Sequence, residues 1–446
     1  MNIVLAGAGE IGLNLAKSLA HQNHNISIID NDRDHLDIIA SNEDVLTVHG
    51  DASSIEVLKN ANINKADIFL AITSMEQTNL LSAIIAKRLG AKRTFARVSN
   101  PEFLSEGQQV NFTGLGVDKI FSPRILAVKE IGRLLQRVAF SDVFEFEGGK
   151  IYSVGFKVDK TSVINNKSLI EIAQRVCDFP LRVLTVLRDD ETIIPSGNFI
   201  LNEGDHIYLS VLSKDLKKVN RLVGKKLKKI KKIMIVGGTA LALSTAKKME
   251  QYYKVTLIIN SQAKARSAID DLDSTLVIVG DPSEIELLKG EGIEGMDAFI
   301  ALTSKSETNI ISSLLAEELG VFKTIALVDN TAYIRLSQHI GIDTFINKKD
   351  IAADYIYQFV RQGKVQAISS MHGTEAEIIE YEVQENNKMT KAPIKNLDIS
   401  NQFIIAGVIR AGEANIPDGN FQIITGDKII IMVHKKQIPF VEGLFS

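Results

Sequence analysis

Gly7-Ala8-Gly9-Glu10-Ile11-Gly12 is the first stretch of this chain whose residue types and spacing could do chemistry. Glycines at that spacing suit a phosphate. Gly7 permits a tight turn, Gly9 lets backbone approach a pyrophosphate with no Cβ in the way, and Gly12 lets a following helix pack close to a sheet. The free amides and dipole of that helix would face the phosphates. Asp30 follows Gly12 by 18 residues. A carboxylate there accepts hydrogen bonds from ribose hydroxyls and repels a 2′-phosphate, which favours NAD over NADP.

Other candidates are spaced at regular intervals downstream. Gly50-Asp51-Ala52 could border an adenine, Thr73-Ser74 could reach a pyrophosphate or the far ribose, and Arg97 could pair with a phosphate. Each could instead serve a turn or a surface ion pair. Other chemistries lack their residues. The eight histidines (21, 24, 35, 49, 206, 339, 372 and 434) are scattered, and His21 with His24 has no third ligand, so no metal site is expected. No P-loop lysine motif and no Ser/His/Asp arrangement is visible, and a hydride-transfer enzyme's proton donor and anchoring charge are missing. Cys177 is the single cysteine, which excludes an internal disulfide or a thiolate cluster and suits a reducing cytosol. A net charge of −3 speaks against a nucleic-acid partner. Met1 leads straight into a strand-like run, so a secretory leader is not expected. No apolar run approaches the roughly 18–20 residues of a membrane span.

The elements that must position these residues follow from periodicity. Short β-branched runs (Ile3–Leu5, Ile26–Ile29, Val45–Val48, Ile68–Ile72, Thr94–Val98) alternate with helix-like segments at 12–22, 33–41, 53–60 and 77–89. Such alternation implies an α/β fold, a doubly wound parallel sheet with helices on both faces. The glycine motif then lies between first strand and first helix, as a Rossmann-type site requires.

The chain also meets itself. At an offset of 230, Ile3–Gly7 meets Ile233–Gly237, Gly50-Asp51 meets Gly280-Asp281, Ala71–Ser74 meets Ala301–Ser304, and Thr78-Asn79 meets Thr308-Asn309. At an offset of 222, Pro195–Phe199 meets Pro417–Phe421, and Gly204-Asp205 meets Gly426-Asp427. A large unit and a small α+β unit therefore occur twice. The expected order is a nucleotide-binding domain over 1–122, a linking helix over 123–140, a small module over 141–222, a basic linker over 223–231, a second Rossmann-like domain over 232–347, a helix over 348–364, and a second small module over 365–446. Residues 214–232 carry nine lysines and Arg221; such a run is either a solvated linker or a contact for anionic headgroups or an acidic partner. The second Rossmann-like copy has decayed. Thr239 replaces the second glycine, Ala242 the third, Asn260 stands at the place of Asp30 and Leu327 at that of Arg97. It is expected to be mainly structural.

The glycine motif, Asp30, Gly50-Asp51, Ala71–Ser74 with Asn79, Ala96-Arg97-Val98 and the small module's Pro195-x-Gly197 and Gly204-Asp205, in tandem order, resemble the TrkA family. These are the peripheral subunits of bacterial Trk potassium-uptake systems, built from two RCK (KTN) domains. The resemblance spans nearly the whole chain. It implies a non-enzymatic regulatory subunit on the cytosolic face of the membrane, gating an integral-membrane Trk-type potassium transporter. It also implies a homotetrameric ring, with NAD(H) as ligand and ATP or ADP possible at the same site. By the family pattern that site is Gly7 through Ile11, Asp30, Thr73, Ser74 and Arg97. Two alternatives stand beside it: an NAD-dependent oxidoreductase, and an RCK-type sensor acting on another cation transporter.

Overall fold

The computed structural model describes residues 1–20, 24–41, 45–104, 110–137, 139–176, 178–189, 191–223, 228–329, 333, 342, 344–360, 365–370, 374–385, 387–397 and 403–445. The expectations for His21, Cys177, His339 and His372 concern residues outside this set. The chain forms two compact units, residues 1–127 with 348–356, and residues 128–347 with 357–446.

In the first unit, β1 (Asn2–Ala6) is apolar on both faces and buried, as a central parallel strand must be. It pairs in parallel with β2 (Asn25–Asp30) and β4 (Ile68–Ala71). Strands β3 (Leu46–His49), β5 (Arg93–Arg97) and β6 (Lys119–Phe121) complete a six-stranded sheet in the order β3-β2-β1-β4-β5-β6. Helices α1 (Glu10–Ala20), α2 (Arg33–Ala40), α3 (Ile55–Asn60) and α4 (Glu76–Arg88) make the crossovers. Ala83 and Ala86 of α4 join Val4, Ala6, Phe69 and Ala71 in one core, small residues that let helix and sheet approach. This is the doubly wound fold expected. Strand order reverses at β1, so the crevice for a ligand opens beyond the carboxyl ends of β1 and β4. The sixth strand was not anticipated; three residues are too few to show a period. After the short α5 (Phe112–Leu115), α6 (Pro123–Gln136) starts at Ser122-Pro123, with proline where a missing N–H costs nothing.

The second unit holds three layers of the repeat. Its own parallel sheet runs β16-β15-β14-β17-β18-β19. In chain order these strands are β14 (Lys232–Val236), β15 (Lys254–Ile259), β16 (Leu276–Val279), β17 (Ala298–Ala301), β18 (Lys323–Leu327) and β19 (Phe345–Ile346). Helices α9 (Ala240–Met249), α10 (Gln262–Asp271), α11 (Ile285–Gly290) and α12 (Ser306–Glu318) repeat the crossovers.

Each small module is a five-stranded antiparallel sheet of one topology. The first is β11-β10-β13-β8-β7, from β7 (Asp142–Phe146), β8 (Ile151–Lys157), β10 (Leu181–Arg188), β11 (Glu191–Ile193) and β13 (His206–Leu212). The short β9 (Lys167–Ser168) and β12 (Ile200–Leu201) pair separately. The helix expected near 167–177 is α7 (Leu169–Glu171), opened by a Ser168/Glu171 capping box and continued by a wider turn over Ile172–Val176. The second module's strands are β20 (Val365–Ser370), β21 (Ala376–Glu382), β22 (Phe403–Arg410), β23 (Glu413–Asn415) and β24 (Lys428–His434), in the order β20-β21-β24-β22-β23. The two sheets share an apolar core in which Phe146, Ile151 and Tyr208 of the first meet Ile378, Ile430 and Met432 of the second.

The repeated Gly-Asp turns turn out to be structural clasps. Asp205 takes two hydrogen bonds from Arg188, both 2.7 Å, and one from the Asn202 amide. Asp427 does the same with Arg410 and the Ile424 amide. Each guanidinium also lies over a phenylalanine, Phe199 or Phe421, at 4.8 Å from the ring centre. Part of the basic stretch forms α8 (Leu216–Val223), which buries Val219 and Leu222 and leaves Lys214, Lys217 and Arg221 in solvent. Lys228 pairs with Asp297 as the chain enters β14. A last linking helix, α13 (Lys348–Val360), follows β19, and α14 (Ile438–Phe445) closes the chain. Among the described residues no helix is long and apolar enough to cross a membrane.

Candidate functional site

The glycine turn is built around three distinct demands. Gly7 leaves β1 at φ +114°, and a Cβ there would lie 2.9 Å from the Thr73 amide nitrogen. Gly12, in the first turn of α1, would place a Cβ 1.9 Å from the Gly7 carbonyl oxygen. Both positions are filled by neighbouring backbone, so glycine is required by packing. Gly9 differs: a Cβ there would meet no atom within 4 Å. Its surroundings leave room for a ligand's pyrophosphate to approach the α1 amides, which is the fit a dinucleotide needs.

Asp30 ends β2 beside this turn. One carboxylate oxygen accepts from the Ala8 amide at 2.5 Å and the other from the Asp32 amide at 2.9 Å. The acid expected to meet a ribose thus also fixes the glycine turn. Its backbone carbonyl takes the Gly50 amide at 2.9 Å, which seats the next loop. There Asp51 accepts from both the amide and the hydroxyl of Ser53, each at 2.8 Å. The backbone hydrogen bond, followed by the hydroxyl, holds the Asp51 carboxyl below its usual range. Asp281 and Ser283 repeat that turn in the second copy.

Beyond β4, the buried Asn79 organises the loop. Its Oδ1 accepts from the Thr73 amide (2.9 Å) and Thr73 Oγ1 (2.7 Å). Its Nδ2 donates to the carbonyls of Thr73 (3.0 Å) and Arg97 (2.9 Å). Thr73 is therefore engaged by its own loop, while Ser74 is exposed. Glu76 accepts the Asn100 and Ser99 amides, both at 2.8 Å, and these hold its carboxyl below the usual range. Asn309 repeats the Asn79 pattern with Thr303 and the Leu327 carbonyl. Arg97 ends β5 with its side chain partly buried. Burial lowers its pKa from the ordinary arginine value, and among the described residues no acceptor meets its guanidinium. A desolvated cation of this kind suits an anionic group.

All the sequence candidates thus lie beyond the carboxyl ends of adjacent strands. Hydrogen bonds stitch Asp51, Asp30, the glycine turn, Thr73 and Arg97 into one rim. Glu10 stands at the first residue of α1, 75% exposed, and pairs at 2.7 Å with Lys349 of α13, whose side chain is 19% exposed. Sequence reasoning missed this pair, since nothing local links residues so far apart. It also missed Arg188 and Arg410, although they obey the offset of 222.

The second copy is filled where the first is open. Thr239 caps α9 by accepting the Ala242 amide at 3.2 Å, and its hydroxyl donates to the Leu302 carbonyl at 2.8 Å. Leu327 is buried where Arg97 ends β5 in the first copy. The small module contains a Ser/His/Asp cluster that the sequence did not reveal. Ser141 Oγ lies 2.9 Å from His206 Nε2, and Asp142 Oδ2 lies 3.7 Å from the same nitrogen while accepting from Tyr208 at 2.8 Å. Serine and aspartate share one ring nitrogen and all three are buried. A nucleophilic triad needs them on opposite nitrogens.

Relatives of known name match the whole chain. A Trk system potassium uptake protein TrkA from Vibrio alginolyticus is 30% identical over 452 residues, covering 100% of this chain and 99% of the relative. That of Haemophilus influenzae gives the same figures, and a TrkA homolog of Archaeoglobus fulgidus is 29% identical with both chains fully covered. Among solved structures, the GsuK RCK domain superposes with a TM-score of 0.59 at 16% identity, covering 100% of this chain and 94% of that one. The GsuK channel bound to NAD gives 0.60 at 16%, covering 100% and 78%. These likenesses show the tandem RCK fold. The TrkA-N domain model matches residues 3–123 and 233–348, and the TrkA-C domain model matches 154–224 and 378–445. The chain belongs to the TrkA family, its TrkA-N and TrkA-C domains alternating twice.

Proposed function

We propose that this protein is the nucleotide-binding regulatory subunit of a Trk-type potassium-uptake system. It works at the cytoplasmic face of the membrane as a ring of self-associated copies, a homotetramer, and gates an integral-membrane potassium transporter. Its ligand site is the first Rossmann-like domain: Gly7, Ala8, Gly9, Glu10, Ile11 and Gly12 for the pyrophosphate, Asp30 for the adenosine ribose, Asp51 toward the adenine, Thr73 and Ser74 toward the far ribose, and Arg97 for a phosphate. NAD(H) is the first ligand, with ATP or ADP at the same site.

The observation that carries this is the contrast at the second glycine. Space around Gly9 faces the amides of α1 beside Asp30, whereas Thr239 fills the matching place in the second copy. The relatives' names, all Trk system potassium uptake proteins, supply the transporter. Those names describe uptake rather than an enzyme activity, and the oxidoreductase alternative is set aside with them. Control follows from a population shift. A ligand moves a ring only by its differential affinity for two ring states. NADH, ADP and ATP differ in charge at the phosphate end, so Arg97 is the discriminating cation.

Calorimetry on the purified chain with NADH, NAD, ATP and ADP tests the site. Saturable binding that Asp30→Ala removes is expected. Arg97→Ala should narrow the difference in affinity between ATP and NADH. No binding by any of the four would make the glycine turn a packing feature alone. Co-purification with a membrane potassium transporter tests the partner, and its absence from an enriched complex would favour a different cation transporter.

A further inference from the structure

The first nucleotide site is completed by a residue from the chain's second half. This rests on the nucleotide reading above. Helix α13 leaves the second parallel sheet at Lys348, yet its residues 348–356 pack with the first unit, Tyr355 lying 5.7 Å from Phe121 between ring centres. Its second residue, Lys349, is largely buried and reaches Glu10 Oε2 at 2.7 Å. Glu10 is the fourth residue of the glycine motif and the first of α1. The carboxylate that holds Lys349 therefore stands where a pyrophosphate's negative charge would arrive.

We propose that Lys349 is a phosphate-reading residue, and that Glu10 holds it until a nucleotide takes Glu10's place. A bound pyrophosphate brings two negative charges to the α1 amides. Those charges repel the exposed Glu10 carboxylate and offer the poorly hydrated Lys349 ammonium a denser acceptor. Partner exchange moves an ion-pair restraint from the glycine turn to the ligand. Because α13 runs on past residue 356 into the other compact unit, the exchange gives ligand charge a physical route out of the site. Lys349 also meets the diphosphate and triphosphate ends differently, so it joins Arg97 in ranking ligands.

The test is calorimetry on the full chain with ADP and NADH as probes, comparing Glu10→Gln, Lys349→Gln and the double variant. A charge-assisted hydrogen bond is worth enough to shift affinity about tenfold or more. Lys349→Gln should weaken ADP by that factor, and Glu10→Gln should tighten it, opposite signs that a merely structural ion pair does not give. The gain from Glu10→Gln should shrink in the Lys349→Gln background. Lys349→Arg keeps the charge, should keep most of the affinity, and serves if Lys349→Gln misfolds. Wild-type affinity in Lys349→Gln, or loss in both single variants alike, overturns the inference while the nucleotide reading stands. No binding by the wild-type chain overturns both.

Discussion

Gly9→Ala separates packing from ligand approach in one atom. The added Cβ meets nothing within 4 Å, and Gly9 is not among the residues of positive φ. The folded state should therefore change by no more than about 0.5 kcal/mol. A phosphate drawn to the α1 amides would meet that methyl. Overpacking of this kind costs about 1–3 kcal/mol, which is roughly 5- to 150-fold in Kd. Gly12→Ala is the contrasting variant. Its Cβ would lie 1.9 Å from the Gly7 carbonyl oxygen, which is backbone and cannot rotate away. It should lose about 1–3 kcal/mol of stability as well as affinity. Thermal melts and NADH calorimetry on both variants give the assay. A Gly9→Ala protein that binds NADH as tightly as wild type, with its melt unchanged, would refute the reasoning, because backbone would then not approach the phosphates at Gly9.

Three further outcomes follow from the same geometry. Asn79→Ala should destabilise the first domain and abolish nucleotide binding, whereas Asn309→Ala should destabilise its own domain and leave affinity unchanged; calorimetry and melts together check this. Arg188→Ala strands the buried Asp205 and should cost roughly 3 kcal/mol, with only partial recovery in Arg188→Lys because the contact is two-pronged; denaturant unfolding reads both. Burial, reinforced by Glu147, raises Glu380 to about 8. Burial would raise Glu147 as well, but hydrogen bonds with Lys428 and Glu380 outweigh it and hold that carboxyl low. A carboxyl raised from 4.5 to about 8 on folding contributes stability that is full below the lower value and lost as pH rises through the upper one. The melting temperature should therefore fall between pH 6 and 8.5, and Glu380→Gln should flatten that slope.

Much of this was legible in the residues. The β-branched runs and helix-like segments gave the parallel sheet because central strands buried on both faces read as continuous apolar runs. Asp30 was found because it ends such a run after a glycine turn. Other features have no local signal. The Glu10–Lys349 pair joins opposite halves of the chain, and β6 is too short to carry a period. Ser141 and His206 meet across the first small module, which sequence distance conceals. Asp30 and Thr73 were assigned to a ligand, and the structure shows that each is also bound into its own loop, a second role that residue type cannot announce. The Gly-Asp turns repeated without an assigned purpose until Arg188 and Arg410 were seen to clasp them.

The most direct test of the central claim is potassium flux through the cognate transporter in reconstituted vesicles, with the purified full chain and NADH, ADP or ATP supplied on the cytosolic side. Flux should change with nucleotide only when the chain is present, and Gly9→Ala should abolish that change. Flux indifferent to the chain, or equally responsive to nucleotide without it, would contradict the account.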